Sequence, residues 1–168
     1  MNKCMFSIPE FLCKTNAYDC VLLLHRRRTF FLSQYGDRQQ VQGRTIEAFS
    51  VFRKGIRPDY YEPVNAAGGT LWCWYPVKKI EYLEKAWETL VLTCIGGAVD
   101  PDERILGVRV VDRSPALDNM RFRLEIWLKR GPAAHAEALL QRVLDALSGG
   151  DDRIKSFLPN FKFKNNKE

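Results

Sequence analysis

The apolar pattern of this chain predicts an α+β fold: one domain over residues 18–150, with a mostly antiparallel sheet backed by helices on one face. Three observations carry that expectation. Arg121–Leu128 alternates strictly between Phe122, Leu124, Ile126 and Leu128 on one side and Arg121, Arg123, Glu125 and Trp127 on the other, as a half-buried strand does. Ile80, Leu83, Trp87, Leu90, Val91, Cys94 and Ile95 recur at helical spacing, and so do Ala136, Leu139, Leu140, Val143, Leu144 and Leu147. Strand-like runs flank those two helices in an order that puts both helices on one sheet face and leaves the other free for a ligand.

Taken in order, residues 1–17 mix Pro, Lys and Asn with scattered apolar side chains and read as an N-terminal arm. Cys20–Leu24 and Thr29–Ser33 read as strands, with a Gly- and Gln-rich connection at Gly36–Gly43. Thr70–Tyr75, between Gly68-Gly69 and Pro76, is rich in β-favouring aromatic residues and reads as another strand. The first helix stops at Gly96-Gly97, where glycine adopts the left-handed conformation at no steric cost. Ile105–Val111 is a β-branched strand, and Ser114–Asn119, holding Pro115, is a loop before the alternating strand. Pro132 opens the second helix and Gly149-Gly150 closes it. Residues 151–168 read as an irregular basic tail.

Composition narrows the function classes. The chain has 168 residues, 46% of them hydrophobic, which supports one core. Its 26 Lys and Arg against 20 Asp and Glu give a net charge of +6 and favour an anionic partner such as nucleic acid or nucleotide phosphate. The five cysteines form no CxxC pair, and His25 and His135 stand far apart. No metal site or disulfide framework is expected, and the thiols suit the reducing cytoplasm or nucleus. Val21–Leu24 is too short for a membrane span, so no membrane role is expected. There is no P-loop, dinucleotide fingerprint or nucleophile elbow, and no acids stand at catalytic spacing. Binding is the expected class, with no cofactor.

The alternating strand is the most informative element. Its polar face groups Arg121, Arg123 and Trp127, and the neighbouring strand offers Arg109 and Arg113 at the same period. This is either a solvated sheet face with one stray indole or a phosphate clamp beside an aromatic platform, since guanidinium groups pair bidentately with phosphate and indole stacks on bases. Tyr60-Tyr61-Glu62 is a second candidate, read either as a hydrophobic loop anchor or as an aromatic–carboxylate pair. A cationic purine between aromatic rings gains cation–π energy, and a carboxylate in the plane of guanine accepts from two N–H groups. Trp72, Trp74 and Trp87 read as core residues.

Several stretches resemble the translation initiation factor 4E family. Ser50-Val51-Phe52-Arg53-Lys54-Gly55-Ile56-Arg57-Pro58 is similar to its S-[LV]-F-K-x-G-I-x-P, with Gly68-Gly69 ten residues on. Trp87–Leu92 with Ile95-Gly96 resembles its second-helix signature, Gly107–Arg113 its G-A-V-V-x-V-R, and Ile126-Trp127 its I-W. The likeness covers about residues 30–147, and its motifs are specific in combination. It implies a cupped antiparallel sheet with helices on the convex face and the 7-methylguanosine 5′ cap of mRNA held on the concave one. By position, it implies that Arg113 and Arg123 hold cap phosphates, that Trp127 contacts the N7-methyl group and that Arg121 reaches a phosphate or the next nucleotide. Partners implied are capped mRNA and an initiation factor 4G-type scaffold or another 4E-binding protein, met at Ile46, Glu88 and Leu92.

The chain also departs from the family. Its first stacking tryptophan falls near Ser33-Gln34-Tyr35, where Tyr35 replaces it. Counting from Pro58 puts Tyr60 at the second stacking position, whereas keeping the aromatic–acid adjacency selects Tyr61 with Glu62 as the base reader. Two Trp-to-Tyr exchanges at about 0.5–1 kcal/mol each would weaken cap binding by about one order of magnitude. Thr45–Phe49 resembles the start of the family's first helix, but Ser50 stands where a partner-binding tryptophan belongs. The resemblance thus leaves two roles open, a cap-binding initiation factor and a partner-bound adaptor or repressor of weak cap affinity. A general single-stranded RNA binder is the reading from outside the family.

Overall fold

The computed structural model describes residues 18–19, 48–76, 81–95, 97, 99–113, 121–151, 155 and 158–166. The expected arm at 1–17, the strands at 20–24 and 29–33, Tyr35 and Ile46 lie outside the described residues. Among the described residues the strands are β1 (Tyr18–Asp19), β2 (Ala48–Arg53), β3 (Gly69–Pro76), β4 (Ile105–Asp112), β5 (Arg121–Leu128) and β6 (Lys162–Asn165). The helices are α1 (Pro63–Ala66), α2 (Glu81–Ile95) and α3 (Ala133–Ser148). The strands form a single sheet in the order β1-β2-β4-β5-β3-β6, with every pairing antiparallel. The expected α+β fold is what the chain adopts.

The alternation over β5 does what period two requires. Phe122, Leu124, Ile126 and Leu128 enter the main core with Val108 and Val110 of β4, Leu71, Cys73 and Tyr75 of β3, and Phe49 and Val51 of β2. Leu83, Leu90 and Val91 of α2 and Leu139 and Val143 of α3 close that core from one side, and Trp87 packs against it as expected. α3 begins after Pro132 and ends at Gly149, whose φ of 61° supplies the left-handed stop.

Three expectations are corrected. Ala48 and Phe49, read as the start of a helix, belong to β2, where Ala48 pairs with Val111 and Phe49 with Val110. Their β-favouring continuation Ser-Val-Phe carries the strand through to Arg53. The stretch read as an irregular tail contributes β6, which pairs with β3 from Gly69↔Asn165 to Trp72↔Lys162, while Phe161 enters the core. Trp72 and Trp74 are not core residues. Register sets Trp72 opposite Glu125 and Trp74 opposite Arg123, so both indoles lie on the face away from the helices, and Trp74 is 41% exposed.

Candidate nucleotide-binding face

The face away from the helices carries Ser50 and Phe52 of β2, Arg109 of β4, Arg121, Arg123, Glu125 and Trp127 of β5, Thr70, Trp72 and Trp74 of β3, and Lys162 and Lys164 of β6. It is expected to be free, and one end of it is not. Trp127 is wholly buried, in a second apolar cluster with Phe52, Leu106 and Ile56. Phe52 meets it edge-on at 5.4 Å between ring centroids, and the Tyr60 ring covers it at 4.2 Å and 32°. Gly107 sits beneath this cluster because a Cβ there would collide with the Phe52 ring.

The loop that delivers Tyr60 is tied down from within. Buried Asn65 donates from Nδ2 to the carbonyls of Arg57 at 2.7 Å and Asp59 at 2.8 Å. Its own carbonyl accepts from Asn166 Nδ2 at 2.8 Å, which anchors the loop to the end of β6. The Tyr61 N–H donates to Asp59 Oδ1 at 3.0 Å. Of the two tyrosines left open by the sequence, the structure brings Tyr60 to Trp127, whereas Tyr61 is 92% exposed. Glu62 heads the short α1, two residues beyond Tyr60 and partly buried.

Sequence reasoning placed Glu125 on this face and assigned it no role. It is fully buried, and its two carboxylate oxygens divide the site between them. Oε1 accepts from Arg123 Nε at 2.6 Å and also pairs with Arg123 Nη2. Oε2 accepts from Trp127 Nε1 at 2.8 Å. A buried carboxylate is tolerable only with such charge-assisted bonds. Glu125 therefore holds one cation and the indole in fixed relation. Its presence was legible in the alternation, but its partners were not.

Arg109 lies across from Glu125, and its buried Nε has no hydrogen-bond partner among the described residues. Burial pushes the Tyr60 phenol above its ordinary value, the Glu125 charge pushes it the same way, and Arg123 and Arg109 oppose that shift. Tyr60 thus stays a neutral ring over the indole, with guanidinium groups close by. Arg113, at the end of β4, is exposed and donates its backbone N–H to Arg121 at 2.7 Å. Arg121 is exposed at the start of β5. The sheet thus brings Arg113, Arg121 and Arg123 to one end of this face and Tyr60 and Trp127 to the other. On α2, Glu88 and Leu92 are both exposed, four residues apart on one helix face turned away from the sheet.

The profile of the eukaryotic initiation factor 4E family matches residues 31–168. The chain belongs to the eukaryotic initiation factor 4E family. It is 33% identical over 85 residues to eukaryotic translation initiation factor 4E-2 of Schizosaccharomyces pombe, a match covering 48% of this chain and 31% of that protein. It is 32% identical over 85 residues to translation initiation factor 4E-1 of the same yeast, covering 48% of this chain and 35% of that one. The matches thus span about a third of the length of these relatives. Solved structures share the fold of this 4E family member at lower identity. Ascaris suum eIF4E-3 with m2,2,7G cap superposes with a TM-score of 0.56 at 18% identity, covering 75% of this chain and 66% of that one. C. elegans eIF4E-3 with the 4E-binding protein Mextli gives 0.53 at 17%, covering 77% and 70%.

Proposed function

We propose that this 4E family member binds the 7-methylguanosine 5′ cap of mRNA in the cytoplasm and brings that mRNA to a scaffold protein in translation initiation. The observation that carries the reading is the Trp127 indole held by Glu125 beside Arg109 and Arg123, on a face that continues into Arg113 and Arg121. Family membership supports it, as do the A. suum neighbours, whose structures hold m7G and m2,2,7G caps. The work is recognition and involves no bond-making.

In this reading Tyr60 and Tyr35 stack on the cationic base, Trp127 contacts the N7-methyl edge, and Glu62 accepts from the guanine N1–H and amino group. Tyr61, one residue on and 92% exposed, is the alternative stacking ring. Arg113, Arg121 and Arg123 take the phosphates bidentately. Glu88 and Leu92 on the helix side, together with Ile46, meet an initiation factor 4G-type scaffold or another 4E-binding protein; the C. elegans neighbour is itself in complex with the 4E-binding protein Mextli.

Fluorescence titration with m7GTP and GTP tests the cap reading. A cation–π gain of about 0.5–2 kcal/mol predicts roughly 2- to 30-fold tighter binding of the methylated nucleotide. Equal affinities would overturn it. Glu62→Ala lowers m7GTP affinity without changing the melting temperature; unchanged affinity moves base reading to another group.

One observation favours a second reading, an adaptor or repressor of weak cap affinity. At 4.2 Å between centroids, Tyr60 leaves no room for a base against Trp127 and must move aside for the cap to reach the indole. Retention on a 7-methylguanosine resin only in the presence of a 4E-binding partner selects this second reading. Retention of the chain alone selects the first.

A further inference from the structure

β3 carries a feature that the cap pocket does not use. Trp74 and Trp72 stand edge to face at 5.9 Å and 85°, on the open side of the sheet. Arg121 and Arg123 lie over the Trp74 ring, each at 5.9 Å, and Arg123 and Lys162 lie over the Trp72 ring at 5.6 and 5.5 Å. Lys164 follows Lys162 on the same side of β6, opposite Thr70. On the β3, β5 and β6 part of this face the one acid is Glu125, which is buried and already paired with Arg123. The strip is therefore cationic and aromatic in alternation.

Neither indole contributes to the main core, and an exposed tryptophan on a sheet face gains nothing by burial. Trp74 is 41% exposed, while Trp72 lies half-buried beneath two cations and braces Trp74 edge-on. That arrangement leaves Trp74 open to solvent and places cations against it. A base stacks on an indole whatever its identity, and the phosphates flanking a stacked base need cations within reach. Trp74 pairs with Arg123, four residues along β5 from Trp127, so the platform lies about 13 Å from the Tyr60–Trp127 pair. A chain of two or three nucleotides covers that span.

We propose that Trp74, braced by Trp72 and flanked by Arg121, Arg123 and Lys162, forms a stacking strip for the single-stranded RNA that continues from the cap. The proposal rests on the cap reading for its direction, and its stacking chemistry stands independently. The strip takes the first nucleotides of the message without reading their sequence. It makes the RNA body a second source of affinity for a pocket in which tyrosines replace tryptophans.

The test compares anisotropy titrations of three ligands: m7GTP, a short capped oligoribonucleotide, and the same RNA with a 5′ triphosphate. Trp74→Ala is expected to bind both RNAs about 5- to 150-fold more weakly while m7GTP affinity stays unchanged, and Trp74→Phe recovers most of the loss. Equal binding of the capped RNA by wild type and Trp74→Ala overturns the strip, and the cap reading then stands or falls on m7GTP against GTP. Trp74-dependent binding of the triphosphate RNA without any m7GTP binding supports the strip and removes the cap reading alone. Trp74-dependent binding of polyglutamate, with no such dependence for RNA, assigns the strip to an acidic protein surface and overturns the proposal.

Discussion

Arg123 serves two masters at the residue scale. It neutralises the fully buried Glu125 and, in the proposed function, takes a cap phosphate. Arg123→Ala leaves a buried carboxylate held by the Trp127 N–H, a change that costs about 3–5 kcal/mol when a buried pair is broken. Exposed Arg121→Ala should cost less than about 1 kcal/mol, and urea unfolding of the two variants checks the difference. A loss of cap affinity in Arg123→Ala must therefore be compared with its stability. Cys73 makes the pH prediction. Burial raises its thiol above the ordinary value of 9.0, so the folded state keeps a proton that the unfolded chain releases. The stability this contributes is complete below that value and declines as pH rises past it. Tyr60 and Tyr75, raised from 10.0, join at higher pH. Unfolding free energies measured between pH 9.0 and 10.0 should fall, and Cys73→Ala should remove a slope that rises from about 0.7 toward about 1.4 kcal/mol per pH unit. An identical slope in Cys73→Ala would show that the thiol titrates alike in both states.

At the scale of elements, the loop from Gly55 to Ala67 is held by one buried amide. The Asn65 side-chain amide links Arg57 and Asp59, and its backbone carbonyl accepts from Asn166 beyond β6. Removing that side chain deletes two part-buried hydrogen bonds at about 0.5–1.5 kcal/mol each, so Asn65→Ala should destabilise the chain by about 1–3 kcal/mol. The same change should loosen Tyr60 from Trp127. Acrylamide quenching should then reach an indole that is wholly buried in the native chain. Unaltered quenching would mean that ring packing, and not the loop's hydrogen bonds, keeps Tyr60 in place. β6 matters for the same reason: it covers the β3 edge and brings Lys162 and Lys164 to the open face.

At the scale of the whole molecule, the sheet divides labour between its faces. One face carries α2 and α3 over the apolar core; the other gathers the cations of a chain with a net charge of +6. If the arginine row and the tryptophan strip both act, capped RNA makes more phosphate contacts than the cap alone. The slope of log affinity against log salt should then steepen by about 0.7 for each added single-strand phosphate contact. Equal slopes for m7GTP and capped RNA would confine binding to the pocket.

The sequence by itself determined the helices α2 and α3, the core side of β5 and the collection of Arg109, Arg113, Arg121 and Arg123 on neighbouring strands, because helical and strand periods are local properties of the chain. It also determined the family, through motifs whose order survives divergence. Tertiary structure alone decided the rest. Thr-Leu-Trp-Cys-Trp-Tyr is apolar or aromatic at nearly every position, so its alternation has no readable parity until pairing with β5 turns both tryptophans outward. Tyr60 and Tyr61 are equivalent in a loop sequence until the Asn65 anchor aims one of them at Trp127. Glu125 looked like a solvated acid until Arg123 and the indole met it in the fold, since the energy of a buried charge depends on partners that only packing supplies.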